Sequence, residues 1–258
     1  MPEDFSIDLI KRGLKTRLIG RQIAFYPFVT STMDVARRQA RAGAPEGLVI
    51  VAGQQTSGRG RLRRRWFSPE GNIALSIILR PESSSLPYLV MIASLAVVSG
   101  FAKVTGMKAG IKWPNDILVN GKKICGILIE NELKGNRVEF SIVGVGINVS
   151  WKPALPNGAL PAAALEEESG KKISRAEVIV HLLNELDRLY LLLPDGKNIF
   201  RSWRDRLVTL GKNVTVTSGK KILQGIAESV DESGALNIRL ADGSLTRIIA
   251  GDVTLRDV

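Results

Sequence analysis

An α+β fold, a mixed β-sheet flanked by helices and followed by a small β-barrel, is predicted by three features of the apolar pattern. Strand-like runs at 48–55 and 72–79 are interleaved with helical runs. Two further runs meet at Lys134-Gly135-Asn136, a hairpin signal that makes them antiparallel neighbours. From Gly211 onward the pattern changes to short β runs spaced by roughly 8–12 residues, as in a small all-β unit. These features divide the chain into an N-terminal segment (1–20), a main domain (21–208) and a barrel (211–258).

Each element has a local reason. Ser31-Thr32 precedes a short helical pattern, Met33 to Ala42, which Gly43 stops, so a hydroxyl N-cap is expected at its start. LVIVAGQQ at 48–55 is β-branched, and NIALSIIL at 72–79 alternates as a strand does. Residues 86–105 form a long apolar helix. Its apolar stretch, Leu86 to Phe101, contains Pro87, Tyr88, two serines and Gly100 and is shorter than the roughly 20 residues a membrane span needs, so a buried helix is expected. KKICGILIENEL and RVEFSIVGVGIN form the hairpin. After a Pro-rich loop, Trp151 to Pro161, Ser174-Arg-Ala-Glu177 makes a capping box opening an amphipathic helix to about Leu193, and Asn198 to Leu207 reads as a shorter helix. NVTV, ILQGIAESV, ALNIRL and SLTRIIA then supply the barrel strands, broken by Ser218-Gly219, Glu232-Ser233-Gly234 and Asp242-Gly243.

Composition narrows the function. With 45% hydrophobic and 24% charged residues the chain can build a sizeable core. Cys125 and His181 stand alone as cysteine and histidine, which disfavours a disulfide scaffold and a zinc enzyme. The start, MPEDFSIDLIKRGLK, lacks the apolar core of a secretory signal, and a cytoplasmic location is expected. Net charge is +11, and it is unevenly placed: residues 1–65 carry 13 Lys/Arg against 5 Asp/Glu, residues 66–258 carry 23 against 20. Arg59, Arg61, Arg63, Arg64 and Arg65 crowd together beside Gly58 and Gly60, a run whose self-repulsion favours disorder until an anion arrives.

Four segments carry chemistry. In the first, Gln55 to Trp66, glycines allow close backbone approach, arginines offer forked donors for phosphate or carboxylate, and Trp66 offers an aromatic face. Neither a Walker P-loop nor a dinucleotide fingerprint matches there. The second, Lys112-Trp113-Pro114-Asn115-Asp116, is a rigid turn presenting Lys112 and Asp116, which is most often a plain surface pair. Alternation in the third, Lys123-Ile-Cys-Gly126-Ile127-Leu128, places Lys123, Cys125 and Ile127 on one strand face, with Cys125 read as a small core residue. The fourth, Gly144-Val-Gly146-Ile-Asn148, puts two glycines in a strand, which asks for a closely packed partner. Asn148 could then read an adenine edge with its paired donor and acceptor.

Taken in this order, with Ser31-Thr32 upstream and the β unit at the end, the four segments resemble the biotin protein ligases along nearly the whole chain. The resemblance implies a class II aminoacyl-tRNA synthetase-like catalytic fold followed by an SH3-like barrel. It also implies an activity in which ATP and biotin give biotinyl-5′-AMP and pyrophosphate. The biotinyl group then passes to a lysine of the biotin carboxyl carrier domain of acetyl-CoA carboxylase or a related carboxylase. Carried over by motif position, biotin contacts fall on Ser31, Thr32, Gln55, Gly58, Arg59, Arg61, Lys112 and Gly126. ATP and adenylate contacts fall on Arg61, Arg64, Trp66 and Asn148, and catalysis on Arg59, Lys112, Lys123 and Asp116. Mg²⁺ would bridge phosphate oxygens with help from Asp116 or Asn115. Two positions depart from the family pattern. Arg63 stands where glycine is usual, a strain if that position needs positive φ, and Met33 stands where asparagine is usual, so no contact is assigned to it.

Some family members carry a DNA-binding repressor module ahead of the ligase. About 20 residues before the first strand are too few for one of roughly 50–60, so no specific DNA binding is expected. An exposed sheet edge offers a route to a homodimer, and no membrane partner is expected. The competing readings are a lipoate ligase or octanoyltransferase, and a basic nucleic-acid-binding module that neutralises phosphates with the arginine run.

Overall fold

The computed structural model describes residues 5–154, 160–193, 196–218 and 221–255. In chain order the elements are α1 (Ile7–Gly13), β1 (Ile23–Val29), α2 (Thr32–Arg41), β2 (Val49–Gln55), a 3₁₀ turn (Arg61–Arg63), β3 (Ile73–Leu79) and α3 (Leu86–Thr105). Then come β4 (Gly110–Lys112), β5 (Asp116–Val119), β6 (Lys122–Lys134), β7 (Arg137–Ile147), α4 (Leu165–Ser169), α5 (Arg175–Leu191) and α6 (Gly196–Arg204). The chain closes with β8 (Asn213–Ser218), β9 (Lys221–Val230), β10 (Leu236–Arg239), β11 (Leu245–Ile248) and β12 (Asp252–Leu255).

Seven strands form one mixed sheet in the order β1-β2-β3-β7-β6-β5-β4, with β1 parallel to β2 and the other neighbours antiparallel. The last five form a separate antiparallel sheet, β11-β10-β9-β8-β12. The main sheet's two faces follow from the period-2 rule. Ile73, Leu75, Ile77 and Leu79 of β3 and Val143, Val145 and Ile147 of β7 enter the large core with α3 and α5. Ile50, Ile78, Phe140 and Ile142 point the other way, onto Met33, Val35, Ala36 and Ala40 of α2. On that second face α2 covers one end of the sheet. At the other end β6 and β7 present Gly126, Gly144 and Gly146 on the opposite side from their core-facing neighbours, and there the face opens into a cleft.

The helix at 86–105 is long and apolar enough to span a membrane by length and composition, but it is packed within the core, with Leu89, Met91, Ile92, Ala96 and Phe101 fully buried. The hairpin turns at 134–137, as its glycine signal predicts. Ser174 caps α5 by accepting the Glu177 N–H at 3.3 Å. Three sequence expectations need correction. Ser31 occupies the N-cap position of α2, but its hydroxyl makes no capping bond. The shorter helix is Gly196–Arg204, since the chain turns off before Leu207 to reach Ile111. Lys123, Cys125 and Ile127 do not share a face. A bulge pairs Leu118 with Lys123 and Ile117 with Cys125, which turns Cys125 and Ile127 into the core while Lys123 stays with Gly126 on the cleft side. Part of the Pro-rich loop, 155–159, and parts of the barrel expectation, 219–220 and 256–258, lie outside the described residues.

Candidate active site

The cleft has a volume of about 1460 Å³ and draws its walls from α2, the arginine segment, the β4–β5 turn, β6, β7 and β12. Of the residues singled out from sequence, Ser31, Thr32, Gln55, Arg59, Arg61, Arg64, Trp66, Lys112, Asn115, Asp116, Lys123, Gly126 and Asn148 all line it. Gly58 does not: it is set behind the wall, where a Cβ would meet the Trp66 carbonyl and the Gln55 amide. Its lack of a side chain serves packing of the segment on itself, which the Trp66 N–H to Gly58 carbonyl bond of 2.9 Å closes.

One part of the cleft is polar but uncharged. The Gln55 carbonyl oxygen accepts the Thr32 N–H at 2.8 Å and the Thr32 hydroxyl at 3.1 Å, and Ser31 Oγ is buried with no partner. Met33, given no contact from sequence, lies in this wall, its sulfur filling the space that a side chain at Gly144 would need.

The cationic part is built on the β4–β5 turn. Backbone and side chain of Trp113 anchor it: its N–H donates to Thr209 Oγ1 at 2.8 Å and its indole to the Gly234 carbonyl at 2.8 Å, both near the second sheet. The Trp113-Pro114 bond is cis. Lys112 is thereby held 5% exposed, and burial lowers its pKa from the ordinary lysine value although Asp116 pulls the other way. Asp116 lies between two ammonium groups, 2.6 Å from Lys123 and 4.0 Å from Lys112. Burial likewise lowers the Arg61 pKa, and this guanidinium donates to Asn115 Oδ1 at 3.2 Å and to the Gly251 carbonyl at 3.1 Å.

The arginine segment is folded, because its repulsion is answered by protein acceptors. Arg59 pairs with Asp34 at 2.6 Å and Glu130 at 3.2 Å, and Arg64 pairs with Asp252 of β12. Arg59 therefore staples the segment to α2 and β6, its charge matched by carboxylates, rather than standing free as a cation in the cleft. The left-handed residue of the segment is Leu62, at φ 55°. The strain expected at the family's glycine position falls there instead.

Trp66 lies over Gly126 and Gly146, which face each other across β6 and β7; a Cβ on Gly146 would overlap the indole ring. The glycine pair in β7 thus has its close partner. Lys123 Nζ sits 5.5 Å from the Trp66 ring centroid. Asn148 is buried, and its amide already donates to the Ala163 carbonyl at 3.1 Å, leaving Oδ1 alone without a partner. The amide holds a second proton beside that acceptor.

Asp116 and Asn115, the expected metal ligands, already have protein partners. Two lysines occupy the carboxylate of Asp116, and Asn115 spends its oxygen on Arg61 and its amide on the Ile127 carbonyl at 2.6 Å. Among the described residues no group of three or more His, Cys, Asp or Glu could hold a metal ion. These residues do not fit a protein-held magnesium.

Asp34, Glu130, Gly251, Asp252 and Thr209 support the site and were not found from sequence. Each is distant along the chain from the residue it holds, and an isolated Asp or Thr carries no local signal.

Residues 25–148 match the Biotin/lipoate A/B protein ligase family, and 209–256 match the Biotin protein ligase C terminal domain. The chain is 36% identical to the bifunctional ligase/repressor BirA of Bacillus subtilis, over 98% of this chain and 80% of that protein. It is 31% identical to the biotin–[acetyl-CoA-carboxylase] ligase of Mycobacterium tuberculosis, over 95% of each. Among solved structures, the biotin protein ligase from Aquifex aeolicus in complex with biotin and ATP superimposes with a TM-score of 0.77 at 28% identity, covering 92% of this chain and 100% of that one.

Proposed function

The chain belongs to the biotin protein ligase family, and from that premise we propose the reaction of its cleft. ATP activates biotin to biotinyl-5′-AMP with release of pyrophosphate, and the biotinyl group passes to one lysine of a carboxylase's biotin carboxyl carrier domain. The observation that carries this reading is that one cleft joins three chemistries: an uncharged hydrogen-bonding part, a buried cationic part and an aromatic residue laid over glycines.

Ser31, Thr32 and Gln55 suit biotin's ureido head, which presents one carbonyl and two N–H groups. Biotin's carboxylate is ionised at neutral pH and needs no base to attack the α-phosphorus; it needs relief from anion–anion repulsion. Arg61, Lys112 and Lys123 supply that field from partly desolvated positions, where charge stabilisation is strongest. A carboxylate oxygen bonds to phosphorus as pyrophosphate leaves. The acceptor amine, once deprotonated, then attacks the acyl carbon and AMP leaves. Asp116 orients Lys112 and Lys123 and is the motif carboxylate beside which that amine would arrive. Trp66, Arg64 and the Asn148 acceptor serve the adenylate side. Magnesium belongs to this reading as an ion brought on the nucleotide's phosphates with its waters, since no cage is built for it.

A cytoplasmic site of action beside the carboxylases, and a homodimer through the β1 edge, where Phe28 is 71% exposed, complete the proposal. Specific DNA binding is not part of the proposal.

The test is incubation with radiolabelled biotin, ATP and a carrier domain. Isolation of biotinyl-AMP followed by label on the carrier is expected. Transfer of lipoate but not biotin would replace the substrate, and salt-dependent DNA binding with no adenylate would overturn the reading.

A further inference from the structure

We infer that Asn115 is a positioning residue that holds the Arg61 guanidinium in the cleft through a neutral oxygen, which leaves the arginine's charge free to meet an anionic ligand. The inference rests on the biotin reading above.

Arg61 differs from its neighbours in the partners it keeps. Arg59 faces the carboxylates of Asp34 and Glu130, and Arg64 faces that of Asp252. Among the described residues the hydrogen bonds of Arg61 go instead to Asn115 Oδ1 at 3.2 Å and to the Gly251 carbonyl at 3.1 Å. Both acceptors are uncharged, so they fix the direction of the guanidinium without cancelling its charge.

The amide is itself locked. Its NH₂ donates to the Ile127 carbonyl at 2.6 Å, and a carbonyl can only accept, so Oδ1 must be the atom turned toward Arg61. A guanidinium can only donate and demands the same orientation. The Ile127 N–H returns to the Asn115 carbonyl at 3.0 Å, a backbone bond that a side-chain substitution at 115 leaves in place.

The carboxylates whose charge reaches Arg61 are Asp116 and Asp252, and each has a nearer partner. Asp116 lies 2.6 Å from Lys123, and Asp252 pairs with Arg64. This part of the cleft therefore sets the cations Arg61, Arg64, Lys112 and Lys123 against two carboxylates. An aspartate at 115 has nearly the shape of asparagine, but it would add a third carboxylate and place it on Arg61 itself. The positive surplus that receives biotin's carboxylate and the phosphates would be halved.

The experiment compares wild type, Asn115→Asp and Asn115→Ala in single-turnover formation of biotinyl-AMP. Calorimetric affinities are taken for biotin and for biotinol, in which a neutral alcohol replaces the carboxylate. Asn115→Ala removes a tether but no charge and should slow adenylate formation about 3- to 10-fold. Asn115→Asp should slow it about 10²-fold and weaken biotin at least about fivefold more than biotinol. On an Arg61→Gln background the alanine substitution should add less than about twofold, since Asn115 acts through that arginine. This last comparison carries the test alone should the aspartate variant fail to fold. Equal weakening of biotin and biotinol by Asn115→Asp marks a merely structural role and would overturn the inference. So would an alanine effect that persists in full without Arg61, or wild-type rates in both variants. Absence of biotin adenylate with the wild type overturns the ligase reading and this inference with it, whereas an active wild type with any of the other results overturns the inference alone.

Discussion

Lys112 shows what a single side chain contributes to this site. Its ammonium is buried, with Asp116 at 4.0 Å, and burial lowers its pKa from the usual 10.5. Lys112→Ala should slow adenylate formation about 10²- to 10³-fold with little change in melting temperature, measured by single-turnover pyrophosphate release. Since the charge is what acts, the wild-type rate should fade on the alkaline side before pH 10.5, and Lys112→Arg should move that limb upward. Stability follows the opposite trend. Between the lowered pKa and 10.5 the unfolded chain binds a proton that the folded one has released, so this residue makes stability rise with pH there. Lys112, Lys123 and Asp116 were legible because they sit in short motifs with a rigid turn. The engagement of Arg59 was not, since Asp34 and Glu130 come from elements that only the fold brings beside it.

At the scale of elements, small residues do the shaping. Gly126 and Gly146 are paired across β6 and β7, and Trp66 rests on both. Gly146→Ala should displace the indole and raise KM for ATP at least about tenfold while the sheet still folds, checked by exchange kinetics and circular dichroism. The N-terminal segment depends on a different device. Buried Asp187 of α5 accepts the N–H groups of Arg17, Leu18 and Ile19 at 2.8, 2.9 and 2.8 Å. Asp187→Ala strands these donors and should cost about 3–5 kcal/mol in denaturant unfolding. Most elements could be read from sequence because their apolar periodicity is strong: β3, α3, the β6–β7 hairpin and the capped α5. The short α1, α4, β4, β5 and β12 were missed, being too brief for a period to show. So was the bulge that turns Lys123 away from Cys125, because an extra residue that puts both Ile124 and Cys125 into the core depends on the pairing with β5 and breaks the simple alternation the sequence suggests.

For the molecule as a whole, the second sheet reaches back into the main one. Asp252 holds Arg64, and the Gly251 carbonyl takes Arg61, so the arginine segment is fastened at both ends, to α2 and β6 by Arg59 and to β12 by its later arginines. Arg64 is 64% exposed, so its pair with Asp252 adds little to global stability. Asp252→Ala should therefore leave the melting temperature within about 1–2 °C, yet speed tryptic cleavage between residues 59 and 65 several-fold by freeing the segment locally. Equal cleavage rates would show that the fastening is not made by this pair. The mixed sheet and trailing β unit were foreseeable from sequence, but the contact between them was not, because no local pattern says which strand of one sheet meets which loop of the other. One optical consequence follows from Trp66 lying on bare glycine backbone at the cleft floor. A guest reaching that floor has to lift or slide the indole, so the protein's own emission should announce arrival, with no dye attached, and before any bond has been made or broken.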